Sequence, residues 1–327
     1  VVTRRAFLAT LTGGLLAAPL AAEGQQAGKV YRVAYLGNEP GMTGPASLAL
    51  SAGLHERGWV EGQNLVWERR FSEGRNERFP KLAAELVEVK PDIIITAGTA
   101  ATLAAKAVTT TIPIVFHSVG DPVGSGIVLS LGRPGGNATG LGGLARGMHA
   151  KMLELFKEAV PRGSRIGLFV NPFFPLHIAY RSEVESVATR LNVMLVPVEI
   201  HASEQLEGAF AAVASQKLDG LMILAQPMMF VFRNQIARLA LAHRIPAIIV
   251  WSEAVEAGIL MSYGDRTIDH MQRVPYYVDR ILKGANPSEL PVEQSTRFYL
   301  SINLKTAKAL NLTIPPSLLQ RADEVIE

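Results

Sequence analysis

The chain alternates uninterrupted apolar runs with longer stretches in which apolar positions recur every three or four residues. Runs such as Ile93-Ile94-Ile95 and Ala247-Ile248-Ile249-Val250 carry no polar residue, the pattern of parallel strands buried on both faces. This patterning predicts strands at 30–37, 64–70, 92–97, 112–118 and 137–141, with helices near 43–57, 76–89, 99–108 and 122–131 between them. A helix at about 147–159 follows. Further strands are expected near 164–170, 193–199, 219–224, 246–251 and 258–263, with helices near 177–191, 203–216 and 229–243. Such alternation builds parallel sheets covered by helices, so the fold class is α/β.

One phrase occurs twice, about 130 residues apart. DIIITAGTA, from Asp92 to Ala100, leads through a helical stretch to IPIVFHS, from Ile112 to Ser118. DGLMILAQP, from Asp219 to Pro227, leads in the same way to IPAIIVWS, from Ile245 to Ser252. The opening strands also correspond, VYRVAYLGNEP from Val30 with SRIGLFVNPFFP from Ser164, each with an Asn just past the strand. Two similar Rossmann-like lobes are therefore expected, with a cleft between them as the place for function.

Beyond Tyr263 come a helical stretch from Thr267 to Lys283, Pro-bounded extended segments, a strand-like Phe298–Ile302 and a short helix from Leu304 to Leu310. Were all of this added to the second lobe, that lobe would be much the larger. The expected division is 29–145 plus about 265–294 for the first lobe, and 146–264 plus about 295–327 for the second. Several crossings of this kind make a hinge of multiple strands.

At 327 residues the chain exceeds a single core, and 48% apolar with 19% charged residues is ample for two. A formal charge of +3 with scattered basic residues gives no support to nucleic-acid binding. The amino terminus reads as an export signal over residues 1–24. Thr3-Arg4-Arg5-Ala6-Phe7-Leu8 precedes a short, weakly apolar run to Ala22 and a polar junction at Glu23. The paired arginines resemble the twin-arginine variant. A membrane anchor would need about 20 strongly apolar residues. With no cysteine the chain can form neither a disulfide nor a lipid-modified cysteine tether. The mature protein is expected in the periplasm, not membrane-embedded, as a monomer.

Five segments carry a family resemblance: GWVEGQNLVWERRFSEG (Gly58 to Gly74), TIPIVFHSVGDPVGSGIV (Thr111 to Val128), RPGGNATGL (Arg133 to Leu141), LMSYG (Leu260 to Gly264) and the end of the chain from Ile302. Together they resemble the substrate-binding proteins of ABC transporters, specifically the tryptophan/tyrosine-type branch. The resemblance implies a type I periplasmic-binding fold, capture of a small amino-acid-like, possibly aromatic, ligand between lobes, and delivery to a membrane permease. A ligand-sensing module presenting the same closed form to a membrane sensor is the alternative. Gln226 departs from the pattern, standing where an acidic residue is common, which argues against recognition of a ligand amine at that position.

Strand topology selects candidate ligand-binding residues, because in parallel sheets ligands gather at the carboxyl ends of strands. The first lobe offers Asn38, Gly98 with Thr99, and Ser118 to Asp121; the second offers Asn171 with Phe173 and Phe174, Gln226, and Trp251 with Ser252. Tyr263 and Asp265 sit at the expected crossing. Thr99 and the N–H groups of Ala100 and Ala101 could hold an anion at a helix start, or Thr99 could simply cap that helix. Asp121 could accept an ammonium group, or initiate a turn as Asp-Pro. Phe173, Phe174 and Trp251 could stack on a ring or pack at the lobe edge. Asn38 and Asn171 share a place in the duplication, and turn formation would also explain each.

Signals for enzymes fail. Gly140-Leu141-Gly142-Gly143-Leu144-Ala145 fits a dinucleotide-binding glycine pattern but has no acidic ribose partner after it, and is read as the loop into the lobe crossing. Histidines at 55, 117, 149, 177, 201, 243 and 270 show no metal-ligand spacing, and no serine occupies a nucleophile elbow. His117 is assigned a structural hydrogen bond. No catalytic residue, metal or cofactor is expected.

Overall fold

A computed structural model describes residues 29–39, 44–143, 147–174 and 176–327; the expected export signal at 1–24 lies outside them. Two sheets organise the chain. In the first, β1 (Tyr31–Gly37), β2 (Leu65–Phe71), β3 (Ile93–Ala97), β4 (Ile114–Val119), β5 (Ala138–Gly142) and β11 (Glu293–Gln294) run in the order β11-β5-β4-β3-β1-β2. In the second, β6 (Arg165–Val170), β7 (Met194–Glu199), β8 (Gly220–Ile223), β9 (Ala247–Ile249), β10 (Met261–Gly264), β12 (Tyr299–Asn303) and β13 (Glu324–Ile326) run in the order β13-β12-β10-β9-β8-β6-β7. The chain passes between sheets after β5, after β10 and after β11. All pairings are parallel except β10 with β12, which is antiparallel.

Each sheet has a core on both faces, which is why its strands can be continuously apolar. In the first lobe, α1 (Pro45–His55) and α10 (Thr267–Leu282) cover one face through Leu50, Leu54, Val274 and Val278. Pro275 of α10 presses so closely on α1 that a Cβ at Gly53 would lie 2.8 Å from its ring. The other face is covered by α2 (Phe79–Glu88) and α3 (Gly98–Val108). In the second lobe, α4 (Met148–Ala159) and α5 (Leu176–Ala188) cover one face, and α6 (Leu206–Ser215), the one-turn α7 (Pro227–Val231) and α8 (Arg233–Ala242) the other.

The duplicated phrase has a structural reason. The Asp92 carboxylate accepts the Arg32 N–H at the start of β1, and the Asp219 carboxylate accepts the Ser164 and Arg165 N–H groups at the start of β6. After the Ile-Pro step, the carbonyls of Pro113 and Pro246 accept from Ile94 and Leu221 respectively. In both lobes, an acid pins the first strand's entry and a Pro carbonyl begins the next pairing.

Two expectations fail. The helix expected at 122–131 is a series of turns: Asp121 Oδ1 accepts the Gly124 N–H at 2.8 Å, and Gly126 turns left-handed at φ 72°, ending the helical path. The segment read as a glycine-rich loop begins as strand, since Gly140 to Gly142 belong to β5. A Cβ at Gly140 would fall 2.0 Å from the Phe116 carbonyl oxygen, so its glycine serves close backbone approach.

Candidate functional site

The carboxyl ends of both sheets face a cavity of about 870 Å³. Of the residues selected from sequence, Asn38, Gly98, Thr99, Ser118, Phe174, Gln226, Trp251, Ser252 and Asp265 line it. Asp121 does not; its carboxylate caps the turn just described. Asn171 is buried behind the wall, Phe173 is 79% exposed and packs edge-on against His201, and Tyr263 packs on Phe298.

On the first lobe, Gly98 opens α3 at φ 84°, so the helix start sits at the cavity. The capping position is Ala97, not Thr99. The Thr99 hydroxyl instead accepts the Gly120 N–H at 3.3 Å, tying the ends of β3 and β4 together. Ser118 is held at φ 56°, where β4 and β5 slip in register. A β-region residue forced there carries strain, and the distortion sets its hydroxyl between two imidazoles, 3.1 Å from His117 Nδ1 and 3.0 Å from His270 Nδ1. The Tyr35 hydroxyl lies 3.3 Å from His117 Nε2. His270 Nε2 lies 3.1 Å from Asp265 Oδ2 and 2.9 Å from Ser295 Oγ, and that hydroxyl donates to Asp265 at 2.9 Å.

With His117 neutral, donors run from Tyr35 to His117 and from His117 to Ser118, while His270 donates to Asp265. Burial above all, then His270, with Asp265 partly opposing, pushes the His117 pKa down to about 3. Burial also raises Asp265, but the hydrogen bond and charge of His270 and the Ser295 hydroxyl outweigh it, and its carboxyl stays below the usual value. Tyr35 is pushed up by burial and by Glu39.

The second lobe is built differently. His177 Nδ1 accepts the Asn171 N–H at 2.8 Å while Nε2 faces the Ala225 carbonyl at 3.2 Å; burial lowers its pKa to about 4. Asn171 Nδ2 donates to Gln226 Oε1 at 3.1 Å. His149 is fully buried, stacked on Tyr180 at 4.1 Å, with Nδ1 3.5 Å from Glu183 Oε2. The Tyr180 hydroxyl, Gln226 Nε2 and Glu253 Oε2 are buried and have no hydrogen-bond partner among the described residues.

Among the described residues, contacts between the lobes include three that bear on closure. Arg233 Nη1 donates to Glu39 Oε1 at 3.0 Å. A Cβ on Gly120 would stand 2.3 Å from the Tyr180 hydroxyl oxygen and 2.8 Å from Leu176 Cδ1, and one on Gly74 would stand 3.3 Å from the Phe232 ring.

A cleft closed from both sides by such contacts suits capture of a small solute, and residues 42–326 match the model of the family described as ABC transporter substrate binding protein. The chain belongs to this family. Among relatives, it is 26% identical over 266 residues to a tyrosine-binding protein of Clostridioides difficile, covering 79% of this chain and 74% of that protein. Among solved structures, a conserved domain protein of Vibrio cholerae is 28% identical, covering 91% of this chain and all of that one, with a TM-score of 0.82. An ABC domain from Streptococcus pneumonia in complex with L-Trp has the same fold at 22% identity, with the same coverage and a TM-score of 0.82.

This substrate binding protein draws much of its cavity wall from residues that sheet-edge reasoning passes over. Tyr180 and Arg233 come from mid-lobe helices, Glu253 and Glu256 from the one-turn α9 (Ser252–Glu256), Tyr299 from the antiparallel β12, and Glu324 from β13 beyond it. The Phe230 ring meets Trp251 edge-on at 5.4 Å, giving the wall an aromatic corner. Trp251 was selected from the sequence; Phe230, on the one-turn helix Pro227–Val231, was not. Among the described residues no three His, Asp or Glu side chains are grouped to hold a metal ion, and no helix is long and apolar enough to cross a membrane.

Proposed function

We propose that this chain is the exported solute-binding protein of an ABC importer, capturing an amino-acid-like, aromatic ligand in the interlobe cleft and delivering it to a membrane permease. The observation that carries the reading is the cavity of about 870 Å³ walled by both lobes. Its size matches a small-molecule site, and its mixture of aromatic rings with a few convergent polar groups is what such sites use. The tyrosine-binding relative supports an amino acid with a ring as the class of ligand.

Closure is the mechanism. The interlobe contacts at Glu39, Gly74 and Gly120 form only when the lobes are close, so a ligand touching both walls favours that shape, which a permease can distinguish from an open one. The basic Arg4-Arg5 start and short apolar run support export to the periplasm, where the protein acts as a monomer.

Isothermal titration of the purified protein with L-tyrosine and L-tryptophan tests the reading. Dissociation constants on the order of micromolar, about 8 kcal/mol of binding free energy, are expected. Heat from neither, nor from any other of the common amino acids, would remove the ligand assignment; unchanged uptake in a strain lacking the gene would remove transport.

A further inference from the structure

Gln226 is 3% exposed, lines the cavity, and leaves one end of its amide without a partner. The surrounding hydrogen bonds decide which end that is. His177 Nδ1 accepts the Asn171 N–H, fixing the backbone of the turn. Asn171 Oδ1 accepts the Phe173 N–H at 3.0 Å, so the other arm of the Asn171 amide, its NH2, faces Gln226. An NH2 group can only donate, hence the Gln226 atom it meets at 3.1 Å is the carbonyl oxygen. The group left over is therefore the Gln226 NH2. The next residue is Pro227, which has no backbone N–H to offer in its place.

We infer that Gln226 is a specificity-determining donor, and that the solute turns an acceptor oxygen, not an ammonium group, toward it. A buried donor without an acceptor is unfavourable, and a ligand carboxylate or carbonyl relieves this, whereas an ammonium group sets donor against donor. The inference rests on the cleft being the ligand site, as proposed above, and adds the chemical polarity of one part of it.

The test compares the wild type with Gln226→Glu and Gln226→Ala by isothermal titration on two matched series. One consists of L-tryptophan, tryptamine and indole-3-propionate; the other of L-leucine, isopentylamine and 4-methylpentanoate. Glu is isosteric with Gln but offers only acceptors when ionised, so the sign of its effect is decisive. Binding by carboxylate-bearing members, weakening of about tenfold or more in Gln226→Glu and a smaller loss in Gln226→Ala are expected. Amine-only members binding the wild type as tightly as the parent amino acid, or tighter binding to Gln226→Glu, would overturn the inference. Binding confined to the leucine series would support it while removing the aromatic assignment above; no binding in either series would overturn both. Melting curves of each variant separate lost contact from lost fold.

Discussion

The two walls of the cleft handle buried polarity in opposite ways. On the first lobe, Tyr35, His117, Ser118, His270, Ser295 and Asp265 form a chain in which every link has a partner. On the second, Tyr180, Gln226 and Glu253 each keep a buried polar atom unpartnered. A fully connected network rigidifies its surroundings, while a partly connected one is unfavourable until something completes it. Apart from Arg266 Nε, buried at the cavity without a partner among the described residues, the first wall is thus a connected platform whose order does not depend on ligand. The second has its hydrogen-bonding capacity left open at the cavity, where a solute or the opposing lobe can complete it.

The largest effect should come from breaking the connected wall. Asp265→Ala removes the acceptor shared by His270 and Ser295 where the chain enters α10. Leaving those two buried donors without an acceptor costs about 1–3 kcal/mol. The matched change on the other wall, Tyr180→Phe, deletes a hydroxyl that has no partner, and should alter stability by less than about 0.5 kcal/mol without ligand. Chemical denaturation of both variants checks the contrast. Equal losses would mean that the walls do not differ in the way described.

That contrast was not legible in the sequence, although much of the fold was. Buried parallel strands announce themselves because Ile93 to Ile95 and Ala247 to Ile249 are covered on both faces, and their acids at Asp92 and Asp219 mark strand entry in each half. The helix expected at 122–131 failed because apolar spacing there is overridden by the Asp121 turn and a left-handed Gly126. For the cavity, reasoning from strand ends finds Gly98, Ser118, Gln226 and Trp251, which lie at or just past the ends of strands. It does not find Tyr180, a helix residue whose place depends on how α5 packs, or Tyr299, which borders the cavity because β12 runs antiparallel to β10. Nor does spacing show that His117 and His270, 153 positions apart, share one serine hydroxyl.

Where the walls meet, Gly120 tests whether the unpartnered Tyr180 hydroxyl belongs to closure. A methyl group at Gly120 has no room beside Tyr180 and Leu176, so Gly120→Ala should hold the lobes apart or displace the tyrosine. Ligand affinity should fall about tenfold, equivalent to about 1.4 kcal/mol, and small-angle scattering should report a larger radius in the presence of ligand. Adding Tyr180→Ala should recover part of the loss by making space. Affinity within twofold of the wild type for Gly120→Ala alone would show that this contact plays no part in closure.

The smallest effect is expected at the most visible contact between the lobes. Arg233 and Glu39 meet at 3.0 Å, yet the Glu39 side chain is 44% exposed, and exposed pairs contribute only about 0–1 kcal/mol. Arg233 also has other support: its guanidinium lies 4.6 Å from the centre of the Phe230 ring and donates to the Phe230 carbonyl at 2.9 Å. Removing the carboxylate therefore leaves the arginine in place. Glu39→Gln should change ligand affinity by less than about twofold, and the difference should vanish in about 0.5 M salt, where exposed charges are screened. Titrations at low and high salt decide the point. A loss approaching that of Gly120→Ala would place the control of closure in this ion pair, and the steric meeting of Gly120 with Tyr180 would become secondary.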